Sequence, residues 1–263
     1  MMRGAELRIS GKAFIEIGSG WHPLLPIVFV GLGAGRVVMT DTSSHLRPEF
    51  VLSTIEYCLR RSSEIALAFG SEPTAFHSRV EKLLANPRDI LKGLEACGVE
   101  YRAPLDFTEC PFGDGEFDGV FSNSCLCYIP FAILEGIFRE SARIVRPGGN
   151  MIHNVSVYDD YSRPGAGSSI VNFLSYSEAD WNVIGNSQLH FQNRLRPSSY
   201  VTLAVDAGFD VVYEERTFDS SGEFELDRGG LHPEFQDLPE EELLCHHFLM
   251  AARKSMPESV ELH

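Results

Sequence analysis

The chain has 263 residues, of which 44% are hydrophobic and 22% charged, a composition that excludes disordered and fibrous proteins. Its 37 acidic residues outnumber its 22 Lys and Arg residues, which gives a formal net charge of −15. A field of this sign repels polyanions and argues against a nucleic acid or an anionic membrane as the main partner. Most of the excess lies between Asp206 and Glu242, so the rest of the chain is nearly neutral.

The cysteines and the N-terminus indicate a cellular compartment. The six cysteines lack the density of a disulfide scaffold, and no C-x-x-C pair indicates a zinc site. The N-terminus has no basic region followed by an apolar run, and no stretch approaches the length of about 18 apolar residues that a membrane span requires. We therefore expect reduced thiols and a cytoplasmic protein.

The chain begins with the pattern of a strand, a glycine turn, a helix and a second strand. Residues 13–17 form an apolar run that ends at Gly18-Ser19-Gly20, which is typical of a buried strand entering a tight turn. A helix with Pro23 in its first turn follows, and residues 37–41 predict a second buried strand that ends on Asp41. This order predicts a βαβ unit of about 30 residues.

The remainder of the chain alternates further strands with helices. Residues 49–98 have helical periodicity and predict an extra helical segment. Strands are then predicted at 101–105, 117–123, 151–157, 210–216 and 243–252, with a helix at 129–145. Such alternation favours a mostly parallel sheet with helices on both faces. Residues 159–200 interrupt it and predict an insertion between the fifth and sixth strands.

The glycine turn and Asp41 together suit a nucleoside. Backbone amides and a positive helix end meet at such a turn, and a carboxylate at the end of the second strand can accept both hydroxyls of a ribose. A dinucleotide fingerprint needs a third glycine, and Pro23 stands at that position. The turn therefore favours a nucleoside cofactor and disfavours a nicotinamide oxidoreductase; taken alone, it also fits a tight turn that binds nothing.

Several short motifs extend this pattern in a fixed order. They are Glu16-Ile17-Gly18-Ser19-Gly20, Asp41, Asp106, Pro111-Phe112, Phe117-Asp118 and Arg143-Ile144-Val145-Arg146-Pro147-Gly148-Gly149. With them the sequence resembles the class I S-adenosylmethionine-dependent methyltransferases. The resemblance implies an α/β, Rossmann-like sheet of seven strands, mostly parallel with an antiparallel last strand, in a single domain over residues 1–263.

The resemblance also implies the cofactor S-adenosyl-L-methionine and the residues that bind it. These residues follow the first four strands: Glu16, Gly18, Ser19, Gly20, Asp41, Thr42, Asp106, Phe107 and Asn123. Glu16 would orient the methionine ammonium, and Asp41 would hold the ribose. Asp106 and Phe107 would flank the adenine, and Asn123 would lie near the amino-acid end. For Glu16 the alternative is a buried acid bonded to the amides of the glycine turn.

Residues in and after the fifth strand are candidates for acting on the acceptor. A hydroxyl acceptor must lose a proton as it attacks, which requires a general base or a metal ion. His153, Asp159 and Asp160 lie in this strand or just beyond its carboxyl end, the edge at which α/β proteins bind ligands. We predict that they are catalytic, with Mg²⁺ as an optional cofactor at the aspartates. The alternatives are a packed strand histidine and a solvated loop.

The insertion at residues 159–200 mixes aromatic rings with amide and guanidinium donors. Rings stack on the apolar face of a sugar, and Asn or Arg side chains bond its hydroxyls. The predicted substrate-binding residues in and beside it are Tyr158, Tyr161, Trp181, Asn193, Arg194 and Arg196. The segment resembles the insertion of bacterial methyltransferases that are encoded with glycan-assembly enzymes. A helical lid with core aromatics is the alternative.

These observations predict an enzyme that methylates a hydroxyl of a sugar-containing or other small polar acceptor. N- or C-methylation of a small metabolite and a non-catalytic cofactor-binding protein are the alternatives, because the motifs indicate binding and not chemistry. The predicted partner is a small molecule or a glycan, with neither nucleic acid nor membrane, and a homodimer stays open. Arg194 and Arg196 also leave an anionic acceptor open.

Overall fold

A computed structural model describes residues 7–86, 89–162, 169–187, 190–218 and 228–256. Within these ranges seven strands form one sheet in the order β3-β2-β1-β4-β5-β7-β6. The strands are β1 (Ala13–Ile17), β2 (Arg36–Thr40), β3 (Val99–Arg102), β4 (Phe117–Asn123), β5 (Val145–Ser156), β6 (Phe209–Phe218) and β7 (Cys245–Lys254). The first five strands are parallel, and β7 is antiparallel to both β5 and β6. The predicted fold class is confirmed.

Helices cover both faces of this sheet. They are α1 (Leu24–Gly31), α2 (Pro48–Arg60), α3 (Ser62–Ala68), α4 (Pro73–Glu81), α5 (Ile90–Ala96), α6 (Phe131–Ile144), α7 (Glu178–Ile184), α8 (Pro197–Asp206), α9 (Pro233–Gln236) and α10 (Glu240–Leu243). Side chains alternate between faces along each strand. In β1, Phe14 joins the core beneath α1, α2, α4 and α5, whereas Ile15 joins the core beneath α6 and α8. No helix in the described part of the chain is long and apolar enough to cross a membrane.

Two strands begin two or more residues before their predicted positions. β3 begins at Val99, two residues earlier than predicted, because Gly98 has φ +80° and its missing Cβ would lie 2.7 Å from the Gly35 carbonyl oxygen. This close approach brings Val99 into register with Val37. β5 begins at Val145 rather than 151, because the Pro-Gly-Gly segment expected to turn before the strand continues it, with an irregular register opposite β4.

The insertion has a small core of its own. Its buried residues come from two parts of the chain, 170–181 and 231–243, and form a third hydrophobic cluster: Ile170, Val171, Phe173, Leu174, Trp181, Leu231, Phe235 and Leu243. The predicted insertion at 159–200 therefore packs against the segment before β7. Residues 163–168 and 188–189 of the insertion lie outside the described residues. The predicted helical segment at 49–98 contains α2 to α5.

Candidate active site

The glycine turn after β1 is bonded to the end of β2. The Ser19 amide donates to the Thr40 carbonyl at 3.0 Å, and the Gly20 amide donates to Oδ2 of Asp41 at 3.0 Å. Gly18 and Gly20 both have positive φ, +69° and +59°, which an L side chain adopts only with strain. Parallel strands bring these groups to one edge of the sheet, as the sequence predicts.

The two glycines of this turn have different surroundings. A Cβ on Gly18 would lie 2.1 Å from the Cys125 sulfur, so the loop after β4 packs directly on the turn. A Cβ on Gly20 would meet no atom of the described residues within 4 Å. The turn is therefore closed on the side of Cys125 and open above Gly20.

Glu16 is a buried acid without a cationic partner among the described residues. Its Oε2 atom is buried and makes no hydrogen bond within the part of the chain that the structure describes. Burial raises the pKa of Glu16 to about 8; a hydrogen bond from Ser19 opposes this rise, and the charge of Asp41 adds to it. A cationic ligand group at this position would satisfy the acid and favour its ionised form.

Other predicted cofactor residues differ in how they are presented. The exposed Asp106 carboxylate accepts bonds from the Thr108 amide at 2.8 Å and from its hydroxyl at 2.7 Å. Phe107 is buried in the core beneath α6, so the expected contact of its ring face with a purine is not supported. Asn123 lies at the end of β4 and accepts a bond from Asn154 at 2.9 Å. Thr42 follows Asp41 and is exposed.

His153 lies inside the core and not at the edge of the sheet. Its side chain has no exposed surface, its Nδ1 atom lies 2.8 Å from the Ser122 hydroxyl, and its ring packs on Phe138. Burial lowers the pKa of His153 to about 3. An acceptor cannot reach this imidazole, and so weakly basic a group would take few protons at neutral pH, so the prediction of a catalytic His153 is wrong.

Asp159 and Asp160 have separate roles and do not form a metal site together. The buried Asp159 carboxylate accepts from the Tyr161 amide at 2.8 Å and from Asn172 at 3.4 Å, which fixes the start of the insertion. Burial raises the pKa of Asp159. The Asp160 carboxylate instead lies near the Tyr128 hydroxyl and helps to raise its pKa, although burial contributes more. Among the described residues, no group of three or more His, Cys, Asp or Glu side chains could hold a metal ion.

Arg196 is bound by backbone carbonyls and not held free for a substrate. Its guanidinium donates to the Glu242 carbonyl at 2.6 and 2.8 Å, to the Cys245 carbonyl at 2.9 Å, and also to the carbonyls of Leu243 and Val157. It is buried, which lowers its pKa to about 10. Arg196 therefore ties β5 to the start of β7, and its predicted role in substrate binding is wrong.

Arg194 and Trp181 belong to the core of the insertion. The terminal nitrogens of Arg194 donate to the carbonyls of Phe173 and Tyr176 and to Glu178, at 2.7 Å from its Oε2. The Trp181 ring is buried, and its Nε1 donates to the Gln192 carbonyl at 2.9 Å. The alternative of a lid with core aromatics therefore describes these two residues better than substrate binding does.

Asn193 joins the insertion to the loop after β4. Its side-chain amide donates to the carbonyls of Leu126 and Ile129, each at 2.8 Å, and its oxygen accepts from the Tyr200 hydroxyl at 3.1 Å. These bonds use the amide group of Asn193, so the expected contact with a substrate hydroxyl is not supported. Their effect is to hold the insertion beside the glycine turn.

A cluster of polar and aromatic side chains lies where this loop meets the insertion. Asp160 lies near the Nε2 atom of His190, with 3.8 Å between Oδ2 and Nε2. The His190 ring lies edge-on to Tyr128, with 5.9 Å between ring centroids, and to Tyr161, with 5.5 Å. Tyr158 lies close enough for the Asp160 charge to raise the pKa of its hydroxyl, although burial contributes more. We call Asp160, His190, Tyr128 and Tyr161 the Asp160 cluster.

One family model and one curated relative match parts of the chain. A family model described as a methyltransferase domain matches residues 80–153. The chain is 23% identical over 216 residues to cycloartenol-C-24-methyltransferase 1 of rice, Oryza sativa subsp. japonica. This match covers 81% of the chain and 52% of the rice protein, so the chain spans about half the length of that relative.

Solved structures agree with the family model. A S-adenosylmethionine-dependent methyltransferase from Mesorhizobium loti has a TM-score of 0.52 at 15% identity, with 94% of this chain and 93% of that chain covered. One from Methanosarcina mazei has a TM-score of 0.54 at 13% identity, with 95% of each chain covered. At these identities the likeness is one of fold. The chain has the fold of the class I S-adenosylmethionine-dependent methyltransferases, and its residues 80–153 match the methyltransferase-domain model.

Sequence reasoning missed two residues of the Asp160 cluster. Tyr128 follows β4 by five residues, and His190 lies near the end of the insertion. The position of Tyr128 after the central strand is a signal that the sequence contains, because side chains after β4 meet the same sheet edge as Gly18. His190 has no comparable signal, since an irregular segment brings it to Asp160 from 30 residues away.

Proposed function

We propose that this methyltransferase transfers the methyl group of S-adenosyl-L-methionine to a hydroxyl of a small polar or sugar-containing acceptor. The observation that carries the proposal is the pairing of two sites at one sheet edge. One is the glycine turn with Glu16 and Asp41, and the other is the Asp160 cluster. Asn193, which bonds the loop between them, keeps the two sites adjacent.

The residues of the first site fit this cofactor. The buried Oε2 of Glu16 lacks a partner among the described residues, and a methionine ammonium supplies the missing cation. The space above Gly20 gives room for the cofactor, and Asp41 stands where a ribose would lie. When bound, the cofactor supplies a methyl group on a sulfonium. The chain then has to bind it, align the acceptor and exclude water.

The second site favours an uncharged acceptor. Tyr128 and Tyr161 expose 43% and 53% of their surfaces, so their rings can pack on the apolar face of a sugar or another ring. The terminal nitrogens of Arg194 are already bonded within the insertion, and those of Arg196 are bonded to backbone carbonyls outside it. The anionic acceptor that the two arginines left open is therefore disfavoured by the geometry.

Carbon methylation is the second candidate. The name of the rice relative specifies a C-24 methylation of cycloartenol, and that relative is 23% identical to this chain. A hydroxyl acceptor is favoured because the Asp160 cluster supplies polar groups that can accept or donate a proton. We also propose a small-molecule or glycan acceptor rather than nucleic acid, in accord with the net charge of −15. The free cysteines of the described residues accord with a cytoplasmic location.

Calorimetry with S-adenosylhomocysteine tests cofactor binding. We expect one site per chain in the parent protein and an affinity at least tenfold weaker in Asp41→Ala, which loses the ribose acceptor. Asp210→Ala is the matched control, because Asp210 is an exposed carboxylate on β6 at the far edge of the sheet. Absence of binding by folded parent protein, or equal binding by the parent and Asp41→Ala, would contradict the proposal.

A further inference from the structure

We propose that His190, positioned by Asp160, accepts the proton of the acceptor hydroxyl, with the rings of Tyr128 and Tyr161 as the walls of the acceptor cleft. The inference rests on the proposed function, because it assigns the base for that reaction. His153, the histidine that the sequence offers first, is buried in the core. The Asp160 cluster places another imidazole at the sheet edge.

One buried amide fixes the two parts of the cluster relative to each other. The Gln192 side chain is 1% exposed and accepts from the Asp160 amide at 3.2 Å while it donates to the Tyr158 carbonyl at 2.7 Å. Gln192 is two residues from His190, so this clamp joins the segment of the imidazole to the segment of the carboxylate. The arrangement is built by the fold and does not depend on a chance contact of surface side chains.

The distance between Asp160 and His190 fits a hydrogen bond that shortens when the substrate binds. The Nε2 atom of His190 has almost no accessible surface and no hydrogen-bond partner in the described residues, and it lies 3.8 Å from Oδ2 of Asp160. Catalytic hydrogen bonds are often long in a free protein and shorten with substrate. A bond from Nε2–H to Asp160 would fix the tautomer and leave the lone pair of Nδ1 for the acceptor.

The tyrosines set the walls of the cleft and its electrostatics. Both rings lie edge-on to the imidazole and are partly exposed. Tyr161 is held in place by a bond from its hydroxyl to the Gly185 carbonyl at 3.0 Å. Burial raises the pKa of the Tyr128 hydroxyl, and the charge of Asp160 adds to the rise, so Tyr128 stays neutral beside Asp160. The titratable groups that face His190 are Asp160, Tyr128 and Tyr161.

Four residues, 125–128, connect the acceptor cleft to the glycine turn. Cys125 packs on Gly18, and residues 126–128 form a short 3-10 helix that ends with Tyr128. An acceptor beside His190 therefore lies next to the turn that the methionine part is expected to cross. This proximity is required for an in-line displacement, in which the attacking oxygen must reach about 3 to 3.5 Å from the methyl carbon.

The proposed step balances without a further reactant. The acceptor oxygen forms a bond to the methyl carbon as its O–H bond breaks and the proton passes to Nδ1 of His190. The electron pair of the breaking bond between sulfur and methyl carbon stays on sulfur, which leaves S-adenosylhomocysteine. The imidazolium formed is stabilised by Asp160 and loses its proton to solvent after the product leaves. His190 is a catalytic residue in this step, and Asp160 is a positioning residue.

The first experiment uses 4-aminophenol as the probe, because one small ring then offers both a hydroxyl and an amine. The full chain is labelled with ¹⁵N-histidine, saturated with S-adenosylhomocysteine and titrated with the probe. We expect the ¹⁵N resonances of the His190 ring to shift and to indicate the Nε2–H tautomer. The population of this tautomer should be lower in Asp160→Asn. Unchanged His190 signals in protein that binds S-adenosylhomocysteine would overturn the assignment; loss of cofactor binding itself would instead count against the proposed function.

The second experiment measures methyl transfer from S-adenosylmethionine to the same probe. We expect the O-methyl product and a kcat in His190→Gln lowered by about a hundredfold or more, with the affinity for S-adenosylhomocysteine unchanged. The fall of kcat/KM at acid pH, where the imidazole is protonated, should be present in the parent and absent in His190→Gln. His77→Gln is the matched control, because His77 is exposed on α4 and bonded to Ser62.

Two outcomes of the second experiment would overturn the inference. One is an N-methyl product, which needs no base of this kind. The other is a His190→Gln variant with parental kcat and a parental acid limb. Tyr128→Phe and Asp160→Asn separate the supporting roles. Tyr128→Phe removes only the hydroxyl beside Asp160 and is expected to lower kcat by less than Asp160→Asn, which loses the charge that stabilises the imidazolium.

Discussion

Two buried charged residues near the strand ends have opposite surroundings. Arg196 donates to backbone carbonyls of three elements, so its charge is compensated within the fold. Glu16 has a hydrogen bond from Ser19 and one buried oxygen without a partner among the described residues. An uncompensated buried charge is costly. Glu16 is therefore mostly neutral at pH 7 in the free protein, whereas Arg196 is charged and structural.

The raised pKa of Glu16 predicts that cofactor binding releases a proton. With a pKa of about 8 the acid is protonated at pH 7, and a bound ammonium favours its carboxylate. At pH 7 we expect close to one proton released per S-adenosylhomocysteine bound, and an affinity that rises with pH up to about pH 8. Calorimetry in buffers of different ionisation enthalpy measures the released protons.

Two variants isolate this effect. Glu16→Gln cannot ionise, so the release and the pH dependence of affinity should both disappear. Glu100→Gln is the control, because Glu100 is a half-buried acid whose pKa is lowered by Arg36 at the other end of β2. A parent protein that binds S-adenosylhomocysteine with no proton release would show that Glu16 does not meet the ammonium.

The sequence predicted the geometry of the glycine turn better than that of the insertion, for a physical reason. Gly18, Gly20 and Asp41 act through local geometry at strand ends, which a run of apolar residues and a glycine turn already specify. The roles of Arg194 and Arg196 depend on carbonyls that are 18 to 49 residues away in sequence. A mixture of donors and rings looks the same in a sequence whether the donors face a ligand or the backbone.

At the scale of elements, the surroundings of three glycines predict different effects when each is replaced by alanine. Gly11, Gly18 and Gly20 have φ between +59° and +73°, so each Ala variant carries a similar strain of about 1 to 2 kcal/mol. Only a Cβ on Gly18 collides with Cys125, at 2.1 Å from its sulfur. Gly18→Ala should therefore lose about 1 to 3 kcal/mol more stability than the other two variants.

Cofactor affinity distinguishes Gly20→Ala from Gly11→Ala. Gly20→Ala places a methyl group in the open space above the turn, so we expect S-adenosylhomocysteine to bind at least tenfold more weakly. Gly11→Ala, in the turn before β1 and equally open, should bind like the parent. Urea unfolding and calorimetry on the three variants give both quantities. Equal affinities for Gly11→Ala and Gly20→Ala would place the cofactor elsewhere.

The order of strands and helices was predictable, whereas their ends were less so. Buried parallel strands are mostly apolar runs, and β1 and β2 have this form. The start of β3 instead depends on the contact between Gly98 and Gly35, two glycines far apart in sequence. The start of β5 depends on the pairing of Val145 with Phe117 of β4, and Pro147 and the two glycines lie in the irregular register that follows.

At the scale of the whole molecule, charge and hydrophobic cores are unevenly distributed. The acidic stretch that begins at Asp206 includes β6, an edge strand whose exposed Glu214 and Glu215 discourage pairing with another chain. The same stretch contains α9 and α10, which supply part of the third hydrophobic cluster. Among the described residues this cluster has 8 buried members, against 25 and 23 in the cores on the two sheet faces.

The small size of the third hydrophobic cluster predicts that the insertion unfolds before the sheet. A region with few buried apolar side chains opens at lower free energy than the main core. The chain has two tryptophans, Trp21, which is 47% exposed, and the buried Trp181 of the third cluster. In Trp21→Phe, fluorescence therefore reports on the insertion alone. We expect its urea midpoint to lie below that of far-ultraviolet circular dichroism, and Phe235→Ala to lower only the fluorescence midpoint. Coincident transitions in both proteins would show that the insertion and the sheet unfold as one unit.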